Sequence, residues 1–186
     1  VDTLEFLFRV WGQQADALEK GSAFVFLSLR RGPNEWEDLA YKWACDEIVV
    51  PDPQEGDVYF CPNLFMRPRR RKELVLPSCW LYADLDKVKP YKAEHMVLGL
   101  CSHGHGHRMN RDLEPSIAWE SSPGRYQALW HLDRPLRPLE HSALNRKLSW
   151  ALGADKGGWD ITQVLRVPGT INHKYDEKPE VKLLWA

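Results

Sequence analysis

Asp84 and Asp86 close the stretch Trp80-Leu81-Tyr82-Ala83-Asp84-Leu85-Asp86, which is apolar and aromatic up to its acidic end. Alternate side chains of an extended strand project to the same face, so the two carboxylates share one side. Ionising two neighbouring carboxylates is unfavourable, and a divalent cation removes that penalty. Oxygen donors of this kind suit Mg²⁺ or Mn²⁺ better than Zn²⁺. The segment 81–86 therefore reads as a buried strand delivering two metal ligands at its exit. Standing alone, an Asp-x-Asp pair is more simply a strand running into a solvated turn, so the reading depends on what else the chain carries.

Two further segments carry polar residues in a pattern that suits a phosphorylated ligand. In Ser121-Ser122-Pro123-Gly124-Arg125-Tyr126-Gln127-Ala128-Leu129-Trp130, Pro123-Gly124 marks a tight turn between strand-like runs at 116–120 and 126–132. Alternation places Arg125, Gln127, Leu129 and His131 on one face, with Tyr126, Ala128 and Trp130 packing on the other. In the stretch from Trp159-Asp160 to Lys174, Arg166 is a permanent cation able to grip phosphate bidentately. Pro168-Gly169 forces a turn and lets backbone approach a ligand, and Thr170, Asn172 and His173 offer groups for a ribose or triphosphate. Asp160, between Trp159 and Ile161, reads as a carboxylate carried inward. Asp155, just past a helix end at Gly153, reads as a solvated cap.

Arg67, Arg69, Arg70, Arg71 and Lys72 form the only dense basic run, interrupted by Pro68 and flanked by Pro62 and Pro77. A solvated loop explains such a run, but its place beside the Asp84 strand also suits a polyanionic substrate. His103, His105 and His107 alternate with glycines, which points to a loop rather than a rigid metal or nuclease site.

These residues need a scaffold. Residues 3–19 show helical spacing at Leu4, Leu7, Phe8, Trp11, Ala15 and Leu18, with Phe6 and Val10 off that face. Residues 23–29 and 57–61 read as strands, and 181–185 as the last one. Asn34 reads as the N-cap of a helix carrying Trp36, Leu39, Ala40, Trp43 and Ala44. A third helix is predicted over Pro138–Leu152, with Leu139, Ala143, Leu144, Leu148 and Leu152 on its apolar side and Gly153 ending it.

The 186 residues are 44% hydrophobic and 27% charged, enough for one core in one domain (1–22 a helical segment, 23–186 the core). Net charge is −1, so any nucleic-acid contact must come from a local patch. No apolar run approaches the roughly 20 residues that span a bilayer, and the first residues read as an amphipathic helix rather than a signal peptide. Cys45, Cys61, Cys79 and Cys101 form no Cys-x-x-Cys pair. Reduced thiols and a cytoplasmic protein are expected.

In this order, the Asp84–Asp86 strand, the Ser-Pro-Gly-Arg-Tyr-Gln-Ala hairpin and the Asp160–Lys174 segment resemble the catalytic motifs of the archaeo-eukaryotic primase superfamily. The closer likeness is to the primase-polymerase and replication-primase domains of plasmids, phages and integrated elements, and it runs from about residue 23 to the end. The resemblance implies an α/β (α+β) fold with a central, largely antiparallel sheet flanked by helices, a modified RNA-recognition-like core. It implies that Asp84, Asp86 and Asp160 hold two Mg²⁺ or Mn²⁺ ions. It also implies that the hairpin, with Ser122, Gly124, Arg125 and Gln127, binds nucleotide phosphates. Many family members carry a histidine after a serine there. Here Gln127 occupies the region and His131 follows later, so Arg125 and Gln127 take that role with His131 as a further candidate. Arg166, Thr170, Asn172 and His173 join the nucleotide site, and residues 67–72 track the template. The implied activity is that of a DNA primase or polymerase, a nucleotidyltransferase acting on NTP or dNTP over single-stranded DNA. A helicase domain or protein is an expected partner, and the implied setting is the cytoplasm of a prokaryote or phage-infected cell. Two other readings compete: a histidine-dependent replication-initiator nickase, and a non-catalytic nucleic-acid-binding module.

Overall fold

The computed structural model of the chain describes residues 2–15, 18, 21–97 and 114–185. In chain order its elements are α1 (Thr3–Ala15), β1 (Phe24–Gly32), β2 (Glu35–Lys42), β3 (Asp57–Phe60), β4 (Ser78–Asp84), α2 (Pro90–Val97), β5 (Ile117–Ser122), β6 (Arg125–Leu136), α3 (Pro138–Leu152), β7 (Leu165–Arg166) and β8 (Lys182–Trp185). The strands form two antiparallel sheets, ordered β2-β1-β3-β7 and β4-β6-β5-β8. The fold is thus mixed α/β and antiparallel as the sequence implies, with the expected central sheet divided in two. No helix among the described residues is long and apolar enough to cross a membrane.

The main core lies between the sheets. Val25, Leu27 and Leu29 of β1 and Val58 and Phe60 of β3 meet Trp80 and Tyr82 of β4, Trp119 of β5 and Leu129 of β6. Helix α1 adds Phe6, Leu7, Val10 and Trp11. Its buried face therefore includes Phe6 and Val10, and Phe8 faces outward, 46% exposed and tilted against Trp43. Two indole N–H groups pin the helix: Trp11 Nε1 donates to the Cys61 carbonyl at 2.9 Å, and Trp80 Nε1 to that of Val10 at 2.8 Å.

The helix expected from Asn34 is instead strand β2. Residues 36, 39, 40 and 43 fit a helical stripe, but the same segment alternates, with Leu39 and Tyr41 turned toward the core and Trp36, Asp38 and Ala40 away from it. It is an edge strand paired along almost the whole of β1 through the tight Pro33-Asn34 turn. That long-range pairing outweighs the local periodicity.

Helix α3 forms where expected and ends in left-handed Gly153 (φ 69°). The face it buries keeps Leu148 and Leu152 of the expected apolar side, packed on a second core, but is otherwise polar. His141, Asn145 and Ser149 are inside, whereas Leu139 and Leu144 are 87% and 40% exposed. The reason is the open edge of β4, which pairs only with β6. A buried edge must have its polar backbone satisfied. The Trp80 carbonyl contacts His141 Nε2 at 2.7 Å, the Tyr82 N–H donates to Asn145 Oδ1 at 2.9 Å, and the Asp84 carbonyl accepts the Asp155 N–H at 2.9 Å. A polar stripe closes the edge of the very strand that carries Asp84.

Candidate active site

Along the inner face of β4, Trp80 and Tyr82 are wholly buried and Asp84, next in the alternation, reaches the rim of the core. Its cross-strand partner is Gln127 of β6. Gln127 Nε2 donates to Asp84 Oδ2 at 3.0 Å, and Gln127 Oε1 accepts from Trp119 Nε1 and from the Arg166 backbone N–H, each at 3.0 Å. One amide thus ties the Asp84 carboxylate to the first sheet.

The strand ends at Asp84, and Asp86 lies in the following turn rather than on the strand. Its N–H donates to Asp84 Oδ1 at 3.1 Å, and Arg125 donates to its carbonyl oxygen. Asp86 Oδ1 is buried without a hydrogen-bond partner among the described residues. Asp86 Oδ2 is 3.9 Å from Lys174 Nζ. Burial, then the charge of Asp86, pushes the Asp84 carboxyl up to about 6. A buried oxygen with an open lone pair beside a carboxylate that resists ionisation fits a hard divalent cation. Among the described residues no third acid, histidine or cysteine stands close enough to complete a cage.

Asp84 and Asp86 line a cleft of about 270 Å³ to which both sheets contribute. Gln127, Ser121 and Ser122 of the second sheet line it with them, Arg30, Trp36, Tyr59 and Arg166 line it from the face of the first sheet turned away from the main core, and Asn172, Lys174 and Tyr175 also reach it. Arg166 is held bidentately by Asp57 at 2.7 and 3.2 Å, both side chains at least nine-tenths buried. Its guanidinium carbon is 4.9 Å from the Tyr59 ring centre. Burial alone would raise Asp57. The hydrogen bonds and charge of Arg166, with the His173 N–H at 2.6 Å, outweigh it and hold that carboxyl below its ordinary range.

Of the residues expected at the site, the structure brings Asp84, Asp86, Ser122, Gln127, Arg166 and Asn172 to one cleft. The others have different surroundings. Gly124 is the left-handed turn residue (φ 70°), its N–H on Glu120 Oε1 at 2.8 Å. Arg125 braces the Asp86 backbone. His131 lies four residues along β6 from Gln127, about 13 Å at strand rise, with its ring 4.9 Å from that of Trp80. The Thr170 hydroxyl closes a turn on the Val167 carbonyl at 2.7 Å, and the His173 ring contacts the Pro53 carbonyl at 2.7 Å. Asn172 Nδ2 donates to the Ser121 carbonyl at 2.7 Å, closing the cleft floor.

Asp160 does not line the cleft. Its carboxylate pairs with Lys72 and accepts the Thr162 N–H and hydroxyl at 2.9 and 2.7 Å. Burial raises it, and these partners outweigh burial, so its pKa lies below the usual range. Asp155 is the acid whose backbone touches Asp84.

The basic segment is unequal in its charges. Arg70 is half-buried, paired with Asp38 at 3.1 Å, and donates to the Thr162 carbonyl at 2.8 Å. Lys72 is paired with Asp160. Arg67, Arg69 and Arg71 are exposed, with no ion pair among the described residues. His103, His105 and His107 lie outside the described residues.

Sequence reasoning missed Arg30, Trp36 and Lys174 as cleft residues. Lys174 ends the Pro-Gly-Thr-Ile-Asn-His-Lys run and was open to inference. Arg30 and Trp36 face each other across the β1–β2 hairpin, which a helix at 34–44 hides.

The sequence model of the RepB DNA-primase N-terminal domain matches residues 87–186, a span that holds the hairpin and the Arg166–Lys174 segment and begins just after Asp86. A replication protein of Clostridium perfringens is 30% identical over 152 residues, 78% of this chain and 35% of that protein. The chain thus spans about a third of the length of the curated relative it matches. Three solved structures share the fold. Primase RepB′ aligns with TM-score 0.61 at 19% identity, over 98% of this chain and 56% of that one. The catalytic domain of primase RepB′ in complex with initiator DNA gives 0.60 at 20%, over 96% and 84%. The AEP domain of the cyanophage S-2L primase-polymerase gives 0.67 at 11%, over 98% and 88%.

Proposed function

The chain belongs to the RepB DNA-primase N-terminal domain family, and on that premise we propose that it is the catalytic domain of a primase-polymerase of plasmid, phage or integrated-element type. It joins NTP or dNTP on a single-stranded DNA template, in the cytoplasm. The observation that carries this is the Asp84–Asp86 pair at a cleft that Arg30, Arg166 and Lys174 also line. Acids that bind cations beside bases that bind phosphate are what nucleotidyl transfer needs.

When bound, Mg²⁺ or Mn²⁺ would neutralise triphosphate charge and lower the pKa of the attacking 3′-hydroxyl. Asp84 and Asp86 are the residues that would hold it. Gln127 fixes the Asp84 carboxylate, and Arg125 fixes the turn that presents Asp86. Lys174 and Arg30 supply charge for the triphosphate. Arg166 keeps its guanidinium against Asp57 and contributes position more than free charge. Ser122 and Asn172 offer hydrogen bonds to ribose or phosphate. Asp160 is the proposed third ligand once it leaves Lys72, and Arg67, Arg69 and Arg71 meet template phosphates.

The test is incorporation of labelled nucleotide on a primed and an unprimed single-stranded template with Mn²⁺, comparing the intact chain with Asp84→Asn and Asp86→Asn. Template-dependent product lost in both variants is expected. Incorporation by either folded variant at the parent rate defeats the assignment, and a covalent protein–DNA adduct would instead indicate a nickase.

A further inference from the structure

Helix α3 and the segment after it carry an aromatic column that the proposed active site does not use. The Arg146 guanidinium carbon lies 5.1 Å from the Trp150 ring centre and 5.5 Å from that of Trp159. Lys156 Nζ lies 5.9 Å from Trp150. Arg146 and Trp150 are one helical turn apart and so share a face. Trp150 is 58% exposed, and with the cations around it its indole is open to solvent.

The charge around this column is uncompensated. Arg146, Lys147 and Lys156 are exposed, and none pairs with an acid among the described residues. The one carboxylate in the following turn, Asp155, accepts the Gly157 N–H at 3.1 Å. In residues 67–72, by contrast, Arg70 and Lys72 are neutralised by Asp38 and Asp160.

The column adjoins the acids. The Asp155 N–H donates to the Asp84 carbonyl, and the Cβ of Asp84 lies 3.7 Å from where a side chain on Gly158 would begin. The Trp159 carbonyl accepts from Asn145 Nδ2 at 3.4 Å, the same Asn145 that closes the β4 edge. Asn145 thus joins the strand that carries Asp84 to the backbone at Trp159.

We propose that Trp150, Arg146 and Trp159, with Lys147 and Lys156, form a stacking platform for the single-stranded DNA template beside the Asp84–Asp86 site. Every nucleobase offers a π-face, so an exposed indole braced by cations holds a strand without reading its sequence, while the cations meet phosphates. The placement beside the catalytic acids rests on the proposed function, but binding to the platform does not.

The experiment separates the two. Fluorescence anisotropy of a labelled oligo-dT is measured on the intact chain with neither nucleotide nor divalent metal, so that no turnover is involved. Trp150→Ala should weaken binding about tenfold, Trp150→Phe should retain most of it, and circular dichroism should show both folded. Lys147→Ala with Lys156→Ala should flatten the slope of log affinity against log salt by about 1.4, two single-strand phosphate contacts at about 0.7 each. In template-dependent incorporation, Trp150→Ala should raise the KM for template and leave the KM for nucleotide unchanged. An unaltered oligo-dT affinity in Trp150→Ala overturns the platform, as does an equal loss for a duplex, which would reduce the effect to charge. Lost self-association with unchanged DNA affinity would assign the face to a second copy of the chain and also overturn it. Intact binding in a chain that incorporates no nucleotide leaves the platform standing and removes the polymerase reading alone.

Discussion

Lys72 and Asp160 are paired, and the pair joins the basic segment to the acid proposed as the third metal ligand. The lysine side chain is 61% exposed and the carboxylate 28%. An ion pair so open to water adds little to stability and breaks readily. A template phosphate on Lys72 would compete for the same ammonium and release Asp160.

Asp160→Asn therefore keeps the size of the side chain, loses its charge, and should abolish Mn²⁺-supported incorporation while thermal melting stays close to that of the parent chain. Asp155→Asn should leave incorporation nearly unchanged, because the substitution keeps the backbone N–H that holds Asp84 and removes only a charge that helps raise the Asp84 carboxyl. The matched pair of incorporation assays decides: activity in Asp160→Asn with loss in Asp155→Asn moves the ligand to Asp155.

Asp84 makes a prediction for the metal-free protein. Its carboxyl, at about 6, lies above the value of 3.8 for an unperturbed aspartate. A raised pKa means the folded state holds its proton longer than the unfolded chain. Stability is therefore highest below about 4 with respect to this group, and declines as pH rises through 6. Asp84→Asn removes the buried charge and should stabilise the metal-free protein at pH 7.5 by about 1–2 kcal/mol, less than the full shift because the group borders an open cleft. The gain should shrink below pH 5. Urea melts at the two pH values, with chelator present, measure it. A variant less stable than the parent at pH 7.5 would show that the Gln127 hydrogen bond outweighs the charge.

The acids were legible because two physical signals coincide at them: an apolar alternation and like charges at its end. The Arg125–Gln127–His131 face was legible from alternation alone, and the pairing of β6 with β4 bears it out, since Gln127 sits opposite Asp84 and His131 opposite Trp80. What alternation cannot supply is distance along the strand, which separates His131 from the cleft. Asp57 was hidden for another reason. It lies 109 residues from Arg166, and nothing in its own neighbourhood marks it as the partner. The apolar stripe drawn on α3 holds at Leu148 and Leu152, which pack on the second core, and fails at Leu139 and Leu144, because the first turns of the helix answer to the open edge of β4 rather than to a hydrophobic surface.

The Arg166–Asp57 pair is a strong structural test. Removing one member of a buried ion pair leaves the other uncompensated, at a cost of about 3–5 kcal/mol. Asp57→Asn should lower stability by that order in urea melts at pH 7. The Asp57 pKa is depressed, so its contribution is present above the unfolded value near 4 and is lost as pH falls through the lower folded value. The acid limb of the parent's stability profile should therefore be shallower in Asp57→Asn. A variant with parental stability at pH 7 would mean the guanidinium finds solvent.

The last prediction divides the basic segment by its bonding. Arg70 bridges Asp38 and the Thr162 carbonyl, and Asp38 also accepts the Ser28 hydroxyl at 2.6 Å and Trp36 Nε1 at 3.0 Å. Arg70→Ala breaks a link between β2, the basic segment and the Asp160 turn. It should lower Tm by about 2–4 °C for each kcal/mol of stability removed, with little change in the salt dependence of template binding. Arg67, Arg69 and Arg71 are exposed and have no such link among the described residues. Replacing all three by alanine should leave Tm unchanged, weaken single-stranded DNA binding, and reduce the slope of log affinity against log salt by about 0.7 for each template phosphate no longer neutralised. Melting curves and salt titrations on the same two variants give the answer. A flattened slope in Arg70→Ala with no change in the triple variant would place the template on the Asp38 side of the segment, over Trp36.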